Sequence, residues 1–252
     1  MLVDDQWDSK VVVIFGGLGY VGSELCRAFR DLSARVVVVD KARFTRADTL
    51  DVDVRYADIV VEEEIADVVQ SIMSTYERID VCIIASGSIE KTPLLTASSD
   101  SWHRMLDANL TGNFLIIQQI ARHMVPFKSG SIINISSILG SSSSSLADTI
   151  AYSVAKAGLV QLTRLAAVEL AAHKIRVNVV LPGFLKGAFL QDYLRTRETP
   201  ESFYSVFKQI PLMRLGVASD LTGIVVALSS SLMSYSTGGV FTVDGGWLAQ
   251  EQ

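Results

Sequence analysis

Tyr152 and Lys156 stand four residues apart in AYSVAKAG, and residues at that spacing share one face of a helix. A phenol and an ammonium so placed form a proton-transfer pair. A free tyrosine titrates near pH ~10 and is a poor acid or base at neutrality. A neighbouring cation favours the phenolate and lowers that value. Lowering it by about three pH units takes roughly 4 kcal/mol, at ~1.36 kcal/mol per unit. One lysine and one cationic cofactor, both partly desolvated, are the groups that would supply it. The same spacing also occurs on ordinary amphipathic helix faces, so the rest of the chain decides its meaning.

The elements that must hold this pair read as short β-branched runs alternating with longer helical stretches. Val- and Ile-rich runs at residues 10–15, 34–40 and 79–86 have the character of buried strands. Residues 131–136, 175–181 and 239–244 continue the set, with a weaker strand near 52–56. Near-continuous apolar strands are what a parallel sheet covered on both faces requires. Helical patterns lie between them at 22–30, 62–76, 110–124, 151–172 and 219–231. The alternation predicts a Rossmann-type α/β fold: a doubly wound, mostly parallel seven-stranded sheet with helices on both faces. No linker-like stretch or internal repeat divides the chain, so residues 1–252 read as one domain. The serine run at 141–145 reads as a loop after a strand.

The first strand runs into GGLGYVG, with glycines at Gly16, Gly19 and Gly22, and a helix follows. Between a strand and a helix, such glycines permit a tight turn and close backbone approach to a pyrophosphate. The helix N-terminus then turns free N–H groups towards the anion. Leu18, Tyr20 and Val21 complete this cofactor-contacting turn. The second strand ends at Asp40. A carboxylate there accepts hydrogen bonds from an adenosine ribose and repels a 2′-phosphate, which favours NAD. Lys41 and Arg43 stand close by and keep NADP open. A plain strand-end turn residue is the alternative reading of Asp40.

Composition excludes several classes. The chain is 49% hydrophobic and 19% charged, with a formal net charge of −5. Its mean hydropathy is +0.35 and its pI about 5.2, which implies a sizeable core. Without a Lys/Arg cluster, nothing marks a nucleic-acid footprint. Cys26 and Cys82 fall in apolar patterns and read as reduced core thiols, which suits a cytoplasmic protein. The opening MLVDDQWDSK is acidic and unlike a signal peptide. Apolar runs such as 11–15 and 36–39 are too short to span a bilayer, so no membrane role is expected. His103, His123 and His173 lack metal-ligand spacing, and no metal site is expected. The acidic run at 62–64 suits a helix start.

From Val11 to Trp247 the sequence resembles the short-chain dehydrogenase/reductase family, in its single-domain form. Tyr152 and Lys156 match the family's catalytic pair. NISS at 134–137, followed by ILG, resembles the strand bearing the catalytic serine, with Ser137 in the matching place and Ser136 as the alternative. NLTG at 109–112 is similar to the segment carrying the proton-relay asparagine, here Asn109. IRVNVVLPG at 175–183 resembles the strand whose end, Pro182 and Gly183, meets the nicotinamide, with Leu185 just beyond. Asp58 and Ile59 stand where the family contacts adenine, and Ala85, Ser86 and Gly87 where it lines the cofactor after the fourth strand. IPLMRLG and VDGG resemble its C-terminal markers.

That resemblance implies hydride transfer between a carbinol carbon and the nicotinamide, with Tyr152 exchanging the matching proton. It implies that Ser137 holds the substrate oxygen, that Lys156 also holds the nicotinamide ribose, and that Asn109 supports a water chain. It further implies a small alcohol or carbonyl substrate, a mobile substrate-covering segment at 184–212, and a homodimer or homotetramer. Phe184, Phe189, Tyr193, Phe203, Tyr204 and Phe207 crowd that segment, either as an apolar pocket wall or as lid packing alone. Lys186, Arg195 and Arg197 are candidates to meet an anionic group, or else exposed surface charges.

Three departures stand out. The family usually has glycine where Tyr20 stands. Its Asn-Asn-Ala-Gly after the fourth strand is here Ile84-Ala85-Ser86-Gly87, so the sheet's central hydrogen bonds must be met otherwise. The interval from Ser137 to Tyr152 is slightly long. The chief expectation is an NAD(H)-dependent oxidoreductase interconverting an alcohol and a carbonyl. A catalytically silent cofactor-binding regulator on the same fold is one alternative. An enzyme modifying a nucleotide-linked sugar, prompted only by the glycine spacing, is the other.

Overall fold

The computed structural model describes residues 7–41, 51–141, 148–187 and 208–250. Seven strands, β1 (Val11–Phe15), β2 (Arg35–Asp40), β3 (Asp53–Tyr56), β4 (Val81–Ile84), β5 (Gly130–Ile135), β6 (Ile175–Pro182) and β7 (Val240–Val243), form one sheet. Its order is β3-β2-β1-β4-β5-β6-β7, and every neighbouring pair is parallel. This is the Rossmann-type, doubly wound arrangement, and all seven strands read from the sequence are present. The strand order reverses beside β1, where open α/β sheets leave a crevice for a ligand.

Among the described residues six α-helices accompany the sheet: α1 (Tyr20–Asp31), α2 (Glu62–Tyr76), α3 (Ser99–Leu106), α4 (Gly112–Met124), α5 (Ile150–Leu170) and α6 (Thr222–Ser229). Successive strand residues point to opposite faces, and the core divides accordingly. Val11, Val13 and Phe15 of β1 pack with Ile65 and Val69 of α2, Ile116 and Ile120 of α4, and Ala167 of α5. Val12 and Ile14 pack with Leu25 and Phe29 of α1 and with Val225 and Leu228 of α6. Each fully buried Val, Ile, Leu or Phe side chain here contributes about 1.5–3 kcal/mol.

Two differences from the sequence reading bear on the site. Helix α1 begins at Tyr20 rather than 22, with Gly19 as its N-cap, which puts Tyr20 and Val21 in its first turn. Helix α3 was not read at all. Its N-cap is Ser98, whose side chain accepts the Ser101 N–H. A five-residue π turn, Asp107–Thr111, joins α3 to α4. Arg43, Phe189, Tyr193, Arg195, Arg197, Phe203, Tyr204, Phe207, residues 142–145 and most of 184–212 lie outside the described residues.

Candidate active site

The glycine turn after β1 is built by contacts that exclude side chains. Gly16 has φ +74°, and a Cβ on it would lie 2.6 Å from the Ser86 nitrogen. A Cβ on Gly22 would overlap the Gly16 carbonyl oxygen. The Gly16 N–H donates to Val39 at 2.8 Å and the Gly19 N–H to Gly16 at 3.1 Å. Gly19 caps α1 with no side-chain hydrogen bond, so the backbone N–H groups of the first turn face outward. A close-approach backbone and an open helix N-terminus fit the pyrophosphate of a dinucleotide. Asp40 holds the turn from behind: its Oδ2 accepts the Leu18 N–H at 3.1 Å.

Tyr152 and Lys156 lie in the first turns of α5, and both are buried. The Lys156 ammonium sits 5.6 Å from the centre of the Tyr152 ring and donates to the Ile135 carbonyl at 3.1 Å. The two candidate serines just past β5 both line the cavity and differ in their hydrogen bonds. Ser136 Oγ donates to the Lys156 carbonyl at 2.9 Å and so ties the strand to the helix. Ser137 Oγ accepts the Leu139 N–H at 3.2 Å and is hydrogen-bonded to the Tyr152 side chain.

The electrostatics differ from the sequence expectation of an acidified phenol. Burial pushes the Tyr152 phenol up to about 12, against a smaller lowering by the Ser137 hydrogen bond. Burial also pushes the Lys156 ammonium down to about 8. In the protein alone, desolvation is the leading cause of both displacements.

Asn109 occupies the π turn, a feature frequent at functional sites. Its Nδ2 donates to Ser88 at 2.8 Å and to Met105 at 3.0 Å, while its Oδ1 is buried without a protein partner. A Cβ on Gly87 would lie 2.6 Å from that Oδ1 and 3.4 Å from Lys156 Nζ. Only a residue without a side chain lets these two polar groups approach the cavity together. On the next strand, Asn134 Nδ2 donates to Thr163 Oγ1 of α5 at 2.8 Å.

These elements enclose a cavity of about 340 Å³. Gly19, Tyr20 and Val21 line it from the turn, Ala85, Ser86 and Gly87 from the end of β4, and Asn109 from the π turn. Ser137, Tyr152 and Lys156 form one wall, and Pro182, Gly183 and Leu185 another. Gly16 and Leu18 shape the turn without lining the cavity, and Asp58 and Ile59 stand apart from it. The Asp58 N–H donates to Glu64 at 2.7 Å, and its carboxylate accepts the Val60 N–H. Ser88, Ile138, Leu139 and Gly187 line the cavity too, although the sequence did not single them out. The ILG following NISS was the available signal for Ile138 and Leu139. Phe184 also lines it and meets Trp247 edge-on, with ring centres 4.7 Å apart. Both belong to an apolar cluster with Tyr152, Ile138, Leu139, Ile210 and Leu215. Lys186 is exposed and outside the lining.

Among the described residues, no group of three or more His, Cys, Asp or Glu is placed to hold a metal ion. Cys26 and Cys82 are free and buried, and burial pushes both thiols up, Cys26 to about 12. Among the described residues, no helix is long and apolar enough to cross a membrane.

A family model described as enoyl-(acyl carrier protein) reductase matches residues 20–248. The chain is 31% identical over 248 residues to the 3-oxoacyl-[acyl-carrier-protein] reductase FabG of Chlamydia pneumoniae, covering 94% of this chain and 96% of that protein. It superimposes on a short-chain type dehydrogenase/reductase from Mycobacterium marinum with a TM-score of 0.88 and 28% identity, over 94% and 95% of the two chains. It matches ElxO with NADP bound at a TM-score of 0.86 and 27% identity, over 96% and 99%.

Proposed function

The chain belongs to the short-chain dehydrogenase/reductase family and is an NAD(P)-dependent oxidoreductase acting on CH–OH and carbonyl groups; we propose that Tyr152, Lys156, Ser137 and Asn109 are its catalytic set. One observation carries this reading. The hydrogen-bonded Ser137–Tyr152 pair and the buried Lys156 open onto the same cavity as the glycine turn.

A nicotinamide held between the glycine turn and Lys156 would supply the hydride acceptor or donor. Tyr152 exchanges the matching proton with the substrate oxygen. Ser137 donates to that oxygen as charge develops on it. Lys156 favours the phenolate by its charge and holds the nicotinamide ribose. Asn109 keeps a buried acceptor beside Lys156 and anchors a water path for the proton. Because burial holds Tyr152 at about 12 in the protein alone, its working range requires a second positive charge beside it, as the oxidised nicotinamide carries.

NAD is the preferred cofactor in this reading, because a carboxylate at Asp40 repels a 2′-phosphate; NADP remains the competitor. Gly16, Leu18, Gly19, Tyr20 and Val21 hold the pyrophosphate, and Asp58 and Ile59 the adenine end. The substrate is a small alcohol or ketone with an apolar body, supported by the wall of Ile138, Leu139 and Phe184. The name of the Chlamydia relative points the same way, to a keto group on an acyl chain. Exposed Leu165 and Val168 of α5, 53% and 77% accessible, support pairing of that helix with a second copy, in a homodimer or homotetramer. A single domain and a cytoplasmic setting complete the proposal.

Titrating the protein into NADH and NADPH while following cofactor fluorescence, then assaying an alcohol and carbonyl panel, tests this reading. Expected are tight binding of NADH and turnover of apolar ketones. Failure to bind either nucleotide, or turnover undiminished in Tyr152→Phe, overturns it.

A further inference from the structure

We propose that Tyr20 retains the cofactor: its ring, closed against Gly187, bars one side of the cavity and slows release of the dinucleotide. This rests on the NAD(P) reading above. Tyr20 is the first residue of α1, so its ring leaves the helix at the end that faces the phosphates. It lines the cavity, and so does Gly187, on the chain beyond β6.

The two residues are fitted to each other. A Cβ on Gly187 would lie 2.9 Å from Cδ1 of Tyr20 and 3.4 Å from both Cε1 and Cγ. Those are three successive atoms of one ring edge, so the Gly187 backbone lies along it. Gly187 is not among the residues with positive φ. Its lack of a side chain therefore answers to the space taken by the ring, not to backbone strain.

The turn that carries Gly187 is itself held. The Gly187 N–H donates to Leu185 at 2.8 Å and the Lys186 N–H to Gly216 at 2.8 Å, while the Gly216 N–H donates to Phe184 at 2.9 Å. The Tyr20–Gly187 contact thus spans from the start of α1 to a clamped turn on the facing wall. A dinucleotide reaching from the glycine turn to Tyr152 runs past this bar. Release requires the ring to leave Gly187. Contacts of this kind are individually modest, so the effect on release is expected at about three- to tenfold.

Stopped-flow fluorescence of NADH and NADPH dissociation tests it, on wild type, Tyr20→Phe, Tyr20→Ala and Gly187→Ala, each checked for an unchanged circular dichroism spectrum. Tyr20→Ala is expected to release cofactor about three- to tenfold faster. Tyr20→Phe should remain near wild type, because the ring and not the hydroxyl forms the bar. Gly187→Ala should also release faster, its new methyl displacing the ring. An off-rate unchanged in Tyr20→Ala, or raised equally in Tyr20→Phe, overturns the proposal and leaves the NAD(P) reading standing. A wild type that binds neither nucleotide overturns both.

Discussion

Lys156 presents its ammonium 5.6 Å from the centre of the Tyr152 ring while bonding to the Ile135 carbonyl at 3.1 Å. The cation is therefore fixed by the strand and reaches the phenol through space. It is placed to respond to charge on Tyr152 without being neutralised by it. Both groups are buried, and burial displaces them in opposite directions, to about 8 for the lysine and about 12 for the tyrosine.

A pH dependence of stability follows. Between about 8 and the ordinary 10.5 of a lysine, Lys156 is protonated in the unfolded chain but not in the folded one, so its own contribution to stability rises with pH. Between the ordinary 10.0 of a tyrosine and about 12, the folded phenol keeps a proton that the unfolded one loses, so stability falls. Lys156→Met should abolish the rise and be more stable than wild type at pH 7, by up to about 3 kcal/mol. Urea unfolding at pH 7 and pH 10 reads both. The buried Cys26 and Cys82 thiols, also pushed up, pull stability down above their ordinary value of 9.0 in both proteins. A change from pH 7 to pH 10 that is equal in wild type and Lys156→Met therefore refutes the buried-ammonium account.

Tyr152→Phe removes one oxygen from a buried, packed ring and leaves the glycine turn untouched. NADH binding should stay within about twofold of wild type, while kcat falls by about 10²–10⁴, the usual weight of a general acid–base group. Fluorescence titration and steady-state assay together check it. A loss of binding equal to the loss of turnover would assign Tyr152 a structural role instead.

The resemblance favours Ser137 with Ser136 as the alternative, identical side chains one step apart at a strand end. Both line the cavity just past β5, and their hydrogen bonds separate them: Ser136 bonds the Lys156 carbonyl and Ser137 the Leu139 N–H. Ser137→Ala should cut kcat/KM by about 10²–10³, as loss of one donor to a developing oxyanion does, beside a stability cost of about 1 kcal/mol from the lost bond to the Leu139 N–H. Ser136→Ala should cost stability alone, about 1 kcal/mol through the bond to the Lys156 carbonyl. Chemical denaturation and kinetics on the two variants distinguish them. The reverse pattern would make Ser136 the substrate-facing residue.

The sheet was legible because β1, β2, β4, β5 and β6 are buried on both faces and so carry near-continuous Val and Ile. The pair on α5 was legible from its spacing. What escaped was set by packing instead of pattern. Helix α3 is too short to show a period, and the π turn at Asp107–Thr111 leaves no mark in residue types. The raised Tyr152 value reflects desolvation, which depends on what covers the phenol and not on the lysine four residues away. Gly187 is silent in sequence because its meaning lies in Tyr20, far away along the chain.

Asp40 combines two roles that substitution can pull apart. Its Oδ2 accepts the Leu18 N–H at 3.1 Å, which anchors the glycine turn, and its charge would repel a 2′-phosphate. Asp40→Asn keeps an acceptor for Leu18 and removes the charge; Asp40→Ala removes both. Asp40→Asn should shift the ratio of NADPH to NADH affinity by about tenfold or more towards NADPH, a change of about 1.4 kcal/mol. Asp40→Ala should shift the ratio similarly and weaken both cofactors, because the turn loses its anchor. Fluorescence titrations with both nucleotides on the three proteins measure this. Should both variants keep the wild-type ratio while only Asp40→Ala weakens binding, Asp40 is the anchor of the turn alone, and the preference for NAD has no basis in its charge.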